Sequence, residues 1–487
     1  MNKLIKKIFV YTAGSLFNKI ILLLFLPIFT SYMIPSEYAV YANLMIFISF
    51  AGLIYLMGMQ QAIFSFFYQK KSKEHYYLII STIYIIILIV GIILSALVIL
   101  FRVELSDLVV KSTAYSHLFI FISIILLCDA LAGISLSFLN IMEKSRQFVI
   151  LSTIRNLVFL ALLSQAAFTH NFSLELVFVF MLISAAVSFI SAIFLIQKLK
   201  AGFELNDSEK KYFSPTLLKN LLSFGIIMVP GTIAMMILRV SDRYMLTYLS
   251  AGSLHDVGIY AIGYKIGMII TFVNAITSRV FFPYAMKIQN RPDAKKIYKK
   301  IFKYYLLFAG FLGILIITFT NEIFSVVIDG AYFQATKIVV FAVISNLLLG
   351  VFNIINLSFY VKQKATNITV AVAVGAFFNI AMNFFLIPKF GIYGASISSV
   401  ISYLFIVLFN YFFAQKVYQV KYNLGYLFIL IFVMILSSGF VYLTSVNPTN
   451  FLIKCFFILV VFSSLIYYIY KNKEFEFIRN AFVSIRS

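Results

Sequence analysis

Charge is scarce in this chain: 11% of its 487 residues are Asp, Glu, Lys or Arg, against about a quarter in an ordinary soluble domain. Acids are the scarcer sign, 17 against 39 bases, and tryptophan is absent. The two cysteines, Cys128 and Cys455, fall in different apolar runs; nothing pairs them locally, so they say little about redox compartment. Four histidines, His75, His117, His170 and His255, are scattered in loops or near the ends of apolar runs. There is no metal-ligand spacing, nucleophile elbow or phosphate-cradling glycine loop, so enzyme chemistry finds no support. What the chain has is apolar bulk, with 62% hydrophobic residues and a mean hydropathy of +1.01.

That bulk is arranged in runs long enough for membrane helices and far too long for the roughly ten-residue alternating strands of a membrane barrel. Fourteen spans are expected, near 9–31, 38–67, 77–101, 114–140, 147–168, 176–197, 221–249, 257–286, 302–320, 338–360, 366–387, 391–414, 424–445 and 451–470. The fold class is therefore an all-α polytopic membrane protein. Lys3, Lys6 and Lys7 before the first run resemble a signal peptide, but the run is too long and lacks a small-residue cleavage site, so it reads as a retained span.

An even number of spans puts both termini on one side. Of the 39 basic residues, 28 then fall in segments on that side, five in segments on the other (Arg102, Lys111, Lys337, Lys389 and Lys454), and six within the spans. By the positive-inside rule the richer side is the cytoplasm. The same sorting absorbs most of the net charge of +22 into a cytoplasmic rim facing lipid, leaving no nucleic-acid surface.

The six intramembrane cations are Lys19, Arg155, Arg239, Arg243, Lys265 and Arg279. Each costs roughly 2.5–3.5 kcal/mol at a helix centre if it faces lipid, so the expectation is that they line a wet interior as substrate-binding groups. They are spread through the membrane depth, which suits a large anionic head group in transit. Arg239, Asp242 and Arg243 share one helix face through i, i+3, i+4 spacing, so Asp242 either neutralises one arginine or leaves a guanidinium fork suited to phosphate. Asp129, midway along the fourth span, is the other acid at membrane depth. It is either an ion-coupling carboxylate or the static partner of a neighbour such as Arg155.

Several neutral polar residues within spans, among them Tyr55, Tyr84, Tyr264, Tyr403, Gln60, Gln61, Asn274, Asn353, Asn356, Asn379 and Asn383, offer hydroxyls and amides to a sugar. Each is equally a helix-to-helix hydrogen bond. Pro27, Pro230 and Pro283 lie inside spans one, seven and eight, where kinks permit bending.

The polar stretch 198–220 divides the chain into an N-terminal lobe at 1–200 (spans 1–6), a C-terminal lobe at 216–415 (spans 7–12), two added spans at 424–470 and a tail at 471–487. A short internal repeat supports the division: Glu37-Tyr38-Ala39-Val40-Tyr41-Ala42 and Asp256-Val257-Gly258-Ile259-Tyr260-Ala261 open spans two and eight. Duplicated lobes are common in transporters, with the site near the bilayer midplane.

The stretch Phe224-Gly225-Ile226-Ile227-Met228-Val229-Pro230, then Ser241-Asp242-Arg243-Tyr244 and Val257 to Lys265, resembles the span seven to eight signature of bacterial polysaccharide-export flippases. Leu26-Pro27-Ile28-Phe29-Thr30 and Pro388-Lys389-Phe390-Gly391-Ile392-Tyr393-Gly394-Ala395 resemble the same group. The resemblance implies an O-antigen or repeat-unit flippase of the multidrug, oligosaccharidyl-lipid and polysaccharide exporter superfamily. Such a protein moves an undecaprenyl-diphosphate-linked oligosaccharide to the outer leaflet of the bacterial inner membrane by alternating access. It further implies a polysaccharide polymerase and a chain-length regulator as partners, H⁺ or Na⁺ as coupling ion, and no other cofactor. The related lipid II flippases carry cationic groups on spans one and eight, where Lys19, Lys265 and Arg279 stand here. Alternatives are a cation-coupled drug exporter, for which six bases against two acids is the wrong balance, a membrane-embedded glycosyl or acyl transferase, and a scaffold in polysaccharide assembly.

Overall fold

In the computed structural model the described residues, 2–67, 69, 72–206, 211–250, 254–364, 366–443 and 448–471, form helices and short connections with no strand. Hydrocarbon leaves a backbone no outside hydrogen-bond partner, so long runs rich in Ile, Leu and Phe can only close their bonds within helices. Twelve helices are long and apolar enough to cross a membrane.

In chain order the helices are α1 (Asn2–Tyr32), α2 (Pro35–Leu56), α3 (Met59–Phe66), α4 (Lys73–Leu100), α5 (Arg102–Val110), α6 (Leu118–Ile141), α7 (Ser145–Phe168), α8 (Leu174–Ala201), α9 (Pro215–Leu249) and α10 (Leu254–Gly267). There follow α11 (Thr271–Ile276), α12 (Phe282–Lys287), α13 (Ala294–Thr318), α14 (Thr320–Val327), α15 (Thr336–Ile355), α16 (Leu357–Val361), α17 (Thr366–Val417), α18 (Leu424–Leu443) and α19 (Pro448–Lys471).

One of the twelve is two spans. At 1.5 Å per residue a straight 52-residue α17 would be about 78 Å long, more than twice the hydrocarbon thickness. It doubles back at Gly391, whose φ of 52° and ψ of −127° suit a residue without a Cβ. Asn379 donates to Ser402 over 3.2 Å and Phe378 stacks on Phe405 at 4.3 Å, pairings centred on the turn. With α19 added, each of the fourteen expected spans has its helix.

Two spans are less regular than hydropathy suggests. The run 38–67 breaks between α2 and α3, where Met57 and Gly58 take φ of 46° and 72°; Gly58 and the amides of Gln60 and Gln61 mark the place, but too briefly to end the apolar run. The run 257–286 is interrupted by a 3-10 turn at Met268–Ile270 and a π turn at Thr277–Phe281. Pro283 has no amide to bond to the Arg279 carbonyl and its ring crowds that oxygen, so the helix widens just before it. Both acids of the internal repeat lie in the first turns of their helices, where they favour the exposed amides; Glu37 accepts from Ile34 N at 3.4 Å.

The chain divides into two compact units, one of residues 6–236 and the other beginning at Ile237 and including Met1–Ile5. The boundary falls inside α9. In the first unit α6 packs against α2, α4, α7 and α8, and Ala132, Leu139, Leu151 and Ala192 form one of its buried clusters. In the second, α15 is central and touches α10, α13, α17 and α18. Lipid is as apolar as leucine, so close packing and polar contacts hold such helices together rather than the hydrophobic effect. Gly263 and Gly267, one turn apart on α10, permit that approach. A Cβ on Gly263 would lie 2.7 Å from the Ala335 carbonyl oxygen, and one on Gly267 would overlap Ala342.

Candidate functional site

In the first unit, Asn18 of α1 donates to Ser152 Oγ at 3.2 Å and accepts from Asn156 Nδ2 at 3.2 Å, both on α7. This seam sets the register of α1 against α7. It brings Lys19, next to Asn18, and Arg155, next to Asn156, to the same depth in the bilayer. Both are half-buried. Arg155 Nη1 lies 2.8 Å from Asp129 Oδ2 on α6, with side-chain exposures of 31% and 23%. Of the two roles open to Asp129, the ion pair is present in this structure.

In the second unit, the face shared by Arg239, Asp242 and Arg243 meets α10 and the second half of α17. Asp242 is 3% exposed. Its carboxylate accepts from the Tyr260 hydroxyl, from Ser399 Oγ at 3.1 Å and from the Arg243 amide at 3.0 Å. Among the described residues no ion pair joins it to either arginine. Arg243 turns to the Tyr264 ring, 5.2 Å from the centroid, with Nε buried and unpartnered by a hydrogen bond. Arg239 is exposed, within electrostatic reach of the Tyr264 and Tyr403 hydroxyls. The helix-face argument thus located the cluster, while the partners of its carboxylate, Tyr260 and Ser399, lie 18 and 157 positions away where no spacing rule reaches.

Lys265 follows Tyr264 on α10 and stands near the level of Arg243; it is half-buried. Arg279 sits further along in the π turn and is exposed. Lys19 and Arg155 form one group in the first unit, and Arg239, Arg243 and Lys265 form another in the second, where Arg279 stands apart from them.

The neutral polar candidates also divide. Tyr55 pairs with Ser95 at 3.0 Å and Tyr84 with Ser135, both across helices. Asn274 donates to the Asn346 carbonyl at 2.9 Å and accepts from Tyr305 at 2.8 Å. Asn379 accepts from Ser241 at 2.7 Å and from Asn383 at 3.1 Å, and its donation to Ser402 completes a link from α9 to both halves of α17. Gln60 and Gln61 border a space of about 20 Å³, too small for a sugar. Asn353 and Asn356 instead line a larger cavity in the second unit.

Lys454, sorted with the outer residues at the start of the fourteenth span, is wholly buried in α19 and pairs with Glu322 of α14 at 2.7 Å. It stands near the start of an apolar run, and its partner is 132 positions earlier, so local pattern could not find the pair.

The family model described as polysaccharide biosynthesis protein matches residues 4–289. An uncharacterized membrane protein of Methanocaldococcus jannaschii, MJ1068, is 28% identical over 216 residues, 43% of this chain and 42% of that protein, so the match spans less than half the length of that relative. Among solved structures, the lipid II flippase MurJ in an inward closed conformation superposes with a TM-score of 0.75 at 16% identity, covering 95% of this chain and 99% of that one. An inward-facing multidrug resistance MATE family transporter of the MOP superfamily gives 0.63 at 16% identity over 80% and 92%. The MATE transporter VcmN of Vibrio cholerae, solved as a point mutant, gives 0.60 at 14% identity over 85% and 97%. At these identities the likeness is one of fold, an all-α multi-pass membrane fold, and the family model extends over more than half of the chain. This chain belongs to the polysaccharide biosynthesis protein family.

Proposed function

We propose that the chain is a flippase that carries an undecaprenyl-diphosphate-linked oligosaccharide repeat unit from the cytoplasmic to the outer leaflet by alternating access, for O-antigen or another surface polysaccharide. The observation that carries this reading is the surplus of membrane-depth cations in a polysaccharide biosynthesis protein. Asp129 offsets Arg155, and Asp242, held directly by hydroxyls, is a single carboxylate beside the two arginines Arg239 and Arg243. A diphosphate leaving water needs such donors, because charge-assisted bonds from Arg and Lys replace its hydration. Lys19, Arg155, Arg239, Arg243, Lys265 and Arg279 are proposed as the groups that receive it in turn.

Asp242 and Asp129 are the proposed ion-coupling carboxylates, for H⁺ or Na⁺. Asp242 is the better placed of the two, since it is buried and its direct side-chain partners are hydroxyls rather than a guanidinium. The reading further places the protein in a bacterial inner membrane with both termini cytoplasmic, working beside a polymerase and a chain-length regulator. Deleting the gene should accumulate the lipid-linked repeat unit on the cytoplasmic leaflet. A normal distribution between leaflets in the deletion strain would reject the proposal.

A further inference from the structure

The second unit contains a cavity of about 300 Å³ beside the π turn, at the small end of the roughly 300–1,000 Å³ typical of small-molecule sites. Ser278, Phe281 and Phe282 form one wall, and Asn353, Asn356 and Tyr360 form the facing one. The cavity lies at the end of the unit where Lys295 and Lys362 approach the Tyr418 ring, at 4.9 and 5.8 Å. That is the same basic end proposed above to face the cytoplasm.

Its walls hold several unused hydrogen-bonding groups. Asn356 is 4% exposed; its Oδ1 accepts from Asn410 Nδ2 at 2.7 Å, while its own amide nitrogen has no protein partner among the described residues. Ser278 Oγ, the Asn353 amide and the Tyr360 hydroxyl are likewise without side-chain partners among the described residues. Asn356 is shut away from water, and buried polar groups in native proteins are nearly always satisfied, so its amide nitrogen indicates a ligand or solvent in the cavity; Ser278 and Tyr360 are exposed and Asn353 is half-buried, which leaves them open to the same occupant.

The chemistry of the walls narrows the occupant. Among the described residues no charged side chain lines the cavity, whereas a phosphate would require cationic donors. An acyl chain would leave the amides and hydroxyls desolvated at a cost of about 1–3 kcal/mol each. Phe282 meets Tyr360 edge to face at 4.9 Å, so aromatic surface stands beside the polar groups. Neutral donors and acceptors next to aromatic surface match a ring bearing hydroxyls on its edges and C–H bonds on its faces.

We propose that this cavity is a saccharide subsite that accepts one sugar ring of the transported unit, with Asn353, Asn356, Ser278 and Tyr360 bonding its hydroxyls. The proposal rests on the flippase reading above and adds where the sugar, rather than the diphosphate, is recognised. The π turn is part of the site, because the widening before Pro283 shapes the wall that carries Ser278 and Phe281.

The test uses the full chain in proteoliposomes with two lipids, undecaprenyl diphosphate bearing an oligosaccharide and the same lipid without sugar. Ser278→Ala and Tyr360→Phe each remove a hydroxyl with little change of volume, and Asn353→Leu removes the amide. Each variant should raise KM for the glycosylated lipid about five- to tenfold and leave that for the bare lipid unchanged. Equal effects on both lipids, or none on either, would overturn the subsite. If the wild type moves neither lipid, the flippase reading fails and a second measurement decides the subsite. The chain has no tryptophan, so Phe282→Trp gives a single tryptophan, excited selectively to the red of tyrosine absorption, to titrate with methyl glycosides of hexoses and N-acetylhexosamines. A saturable change abolished by Asn353→Leu supports a saccharide site, and no saturable change with any glycoside contradicts it.

Discussion

Ser399 donates a 3.1 Å hydrogen bond to Asp242, joining α17 to α9 across 157 positions. With Tyr260 as the other side-chain donor, the carboxylate links three helices while remaining free of an ion pair with its neighbouring arginines. Such a group can change partner as the helices move, which a carboxylate locked to an arginine does less readily. Asp242→Asn keeps one acceptor oxygen and should preserve folding while removing the dependence of transport on an ion gradient. Asp242→Leu should also lower stability by about 2–5 kcal/mol, because it strands two buried hydroxyls. Thermal unfolding in detergent and transport with and without the gradient read the two effects separately; unchanged gradient dependence in the Asn variant would remove Asp242 from coupling.

Arg155 and Asp129 invite a double-mutant cycle. Arg155→Ala alone should destabilise the fold by about 3 kcal/mol, the lower end for a buried pair, because both side chains keep partial exposure. Adding Asp129→Asn should restore most of that stability but not transport, since the cation is still missing. Recovery of transport by the double variant would make the pair purely structural.

The Lys454 and Glu322 pair has the opposite expectation. Neither is assigned to the transport path, and Lys454 is fully buried. Lys454→Met should cost about 3–5 kcal/mol by leaving a carboxylate unpaired, while replacing both residues with leucine should be near neutral for stability. Thermal unfolding of the single and double variants checks this, and transport by the double variant should match the wild type.

Close helix packing gives a prediction independent of charge. Gly267→Leu places a side chain where Ala342 already stands, so overpacking should cost about 1–3 kcal/mol and loosen α10 from α15. Gly439→Leu, with open space at its Cβ position, is the control and should change the unfolding temperature little.

These relationships also show why some features could be read from the chain and others could not. The spans follow from length and hydropathy because hydrocarbon imposes the same demand on every segment that crosses it. The break at Met57 and Gly58 is marked by only a glycine and two nearby glutamines in a run that stays apolar on average, so hydropathy passes over it. Arg239, Asp242 and Arg243 were visible as a cluster because helix periodicity is local, whereas Tyr260 and Ser399 reach Asp242 only through tertiary packing. Lys454 was sorted with the outer residues because its burial depends on Glu322 in another helix. Asn353 and Asn356 looked no different from Asn274 or Asn379; only the fold separates a helix-to-helix bond from a cavity wall.

The central claim is that membrane-depth cations carry a diphosphate head group. It is tested most directly by leaflet-resolved transport of the lipid-linked oligosaccharide in proteoliposomes containing the wild type or Lys19→Ala, Arg155→Ala, Lys265→Ala or Arg279→Ala, at matched protein insertion. The account predicts rapid appearance of the lipid in the opposite leaflet for the wild type and clear loss of rate in these variants. Full activity in all four would show that the charges are structural and contradict it.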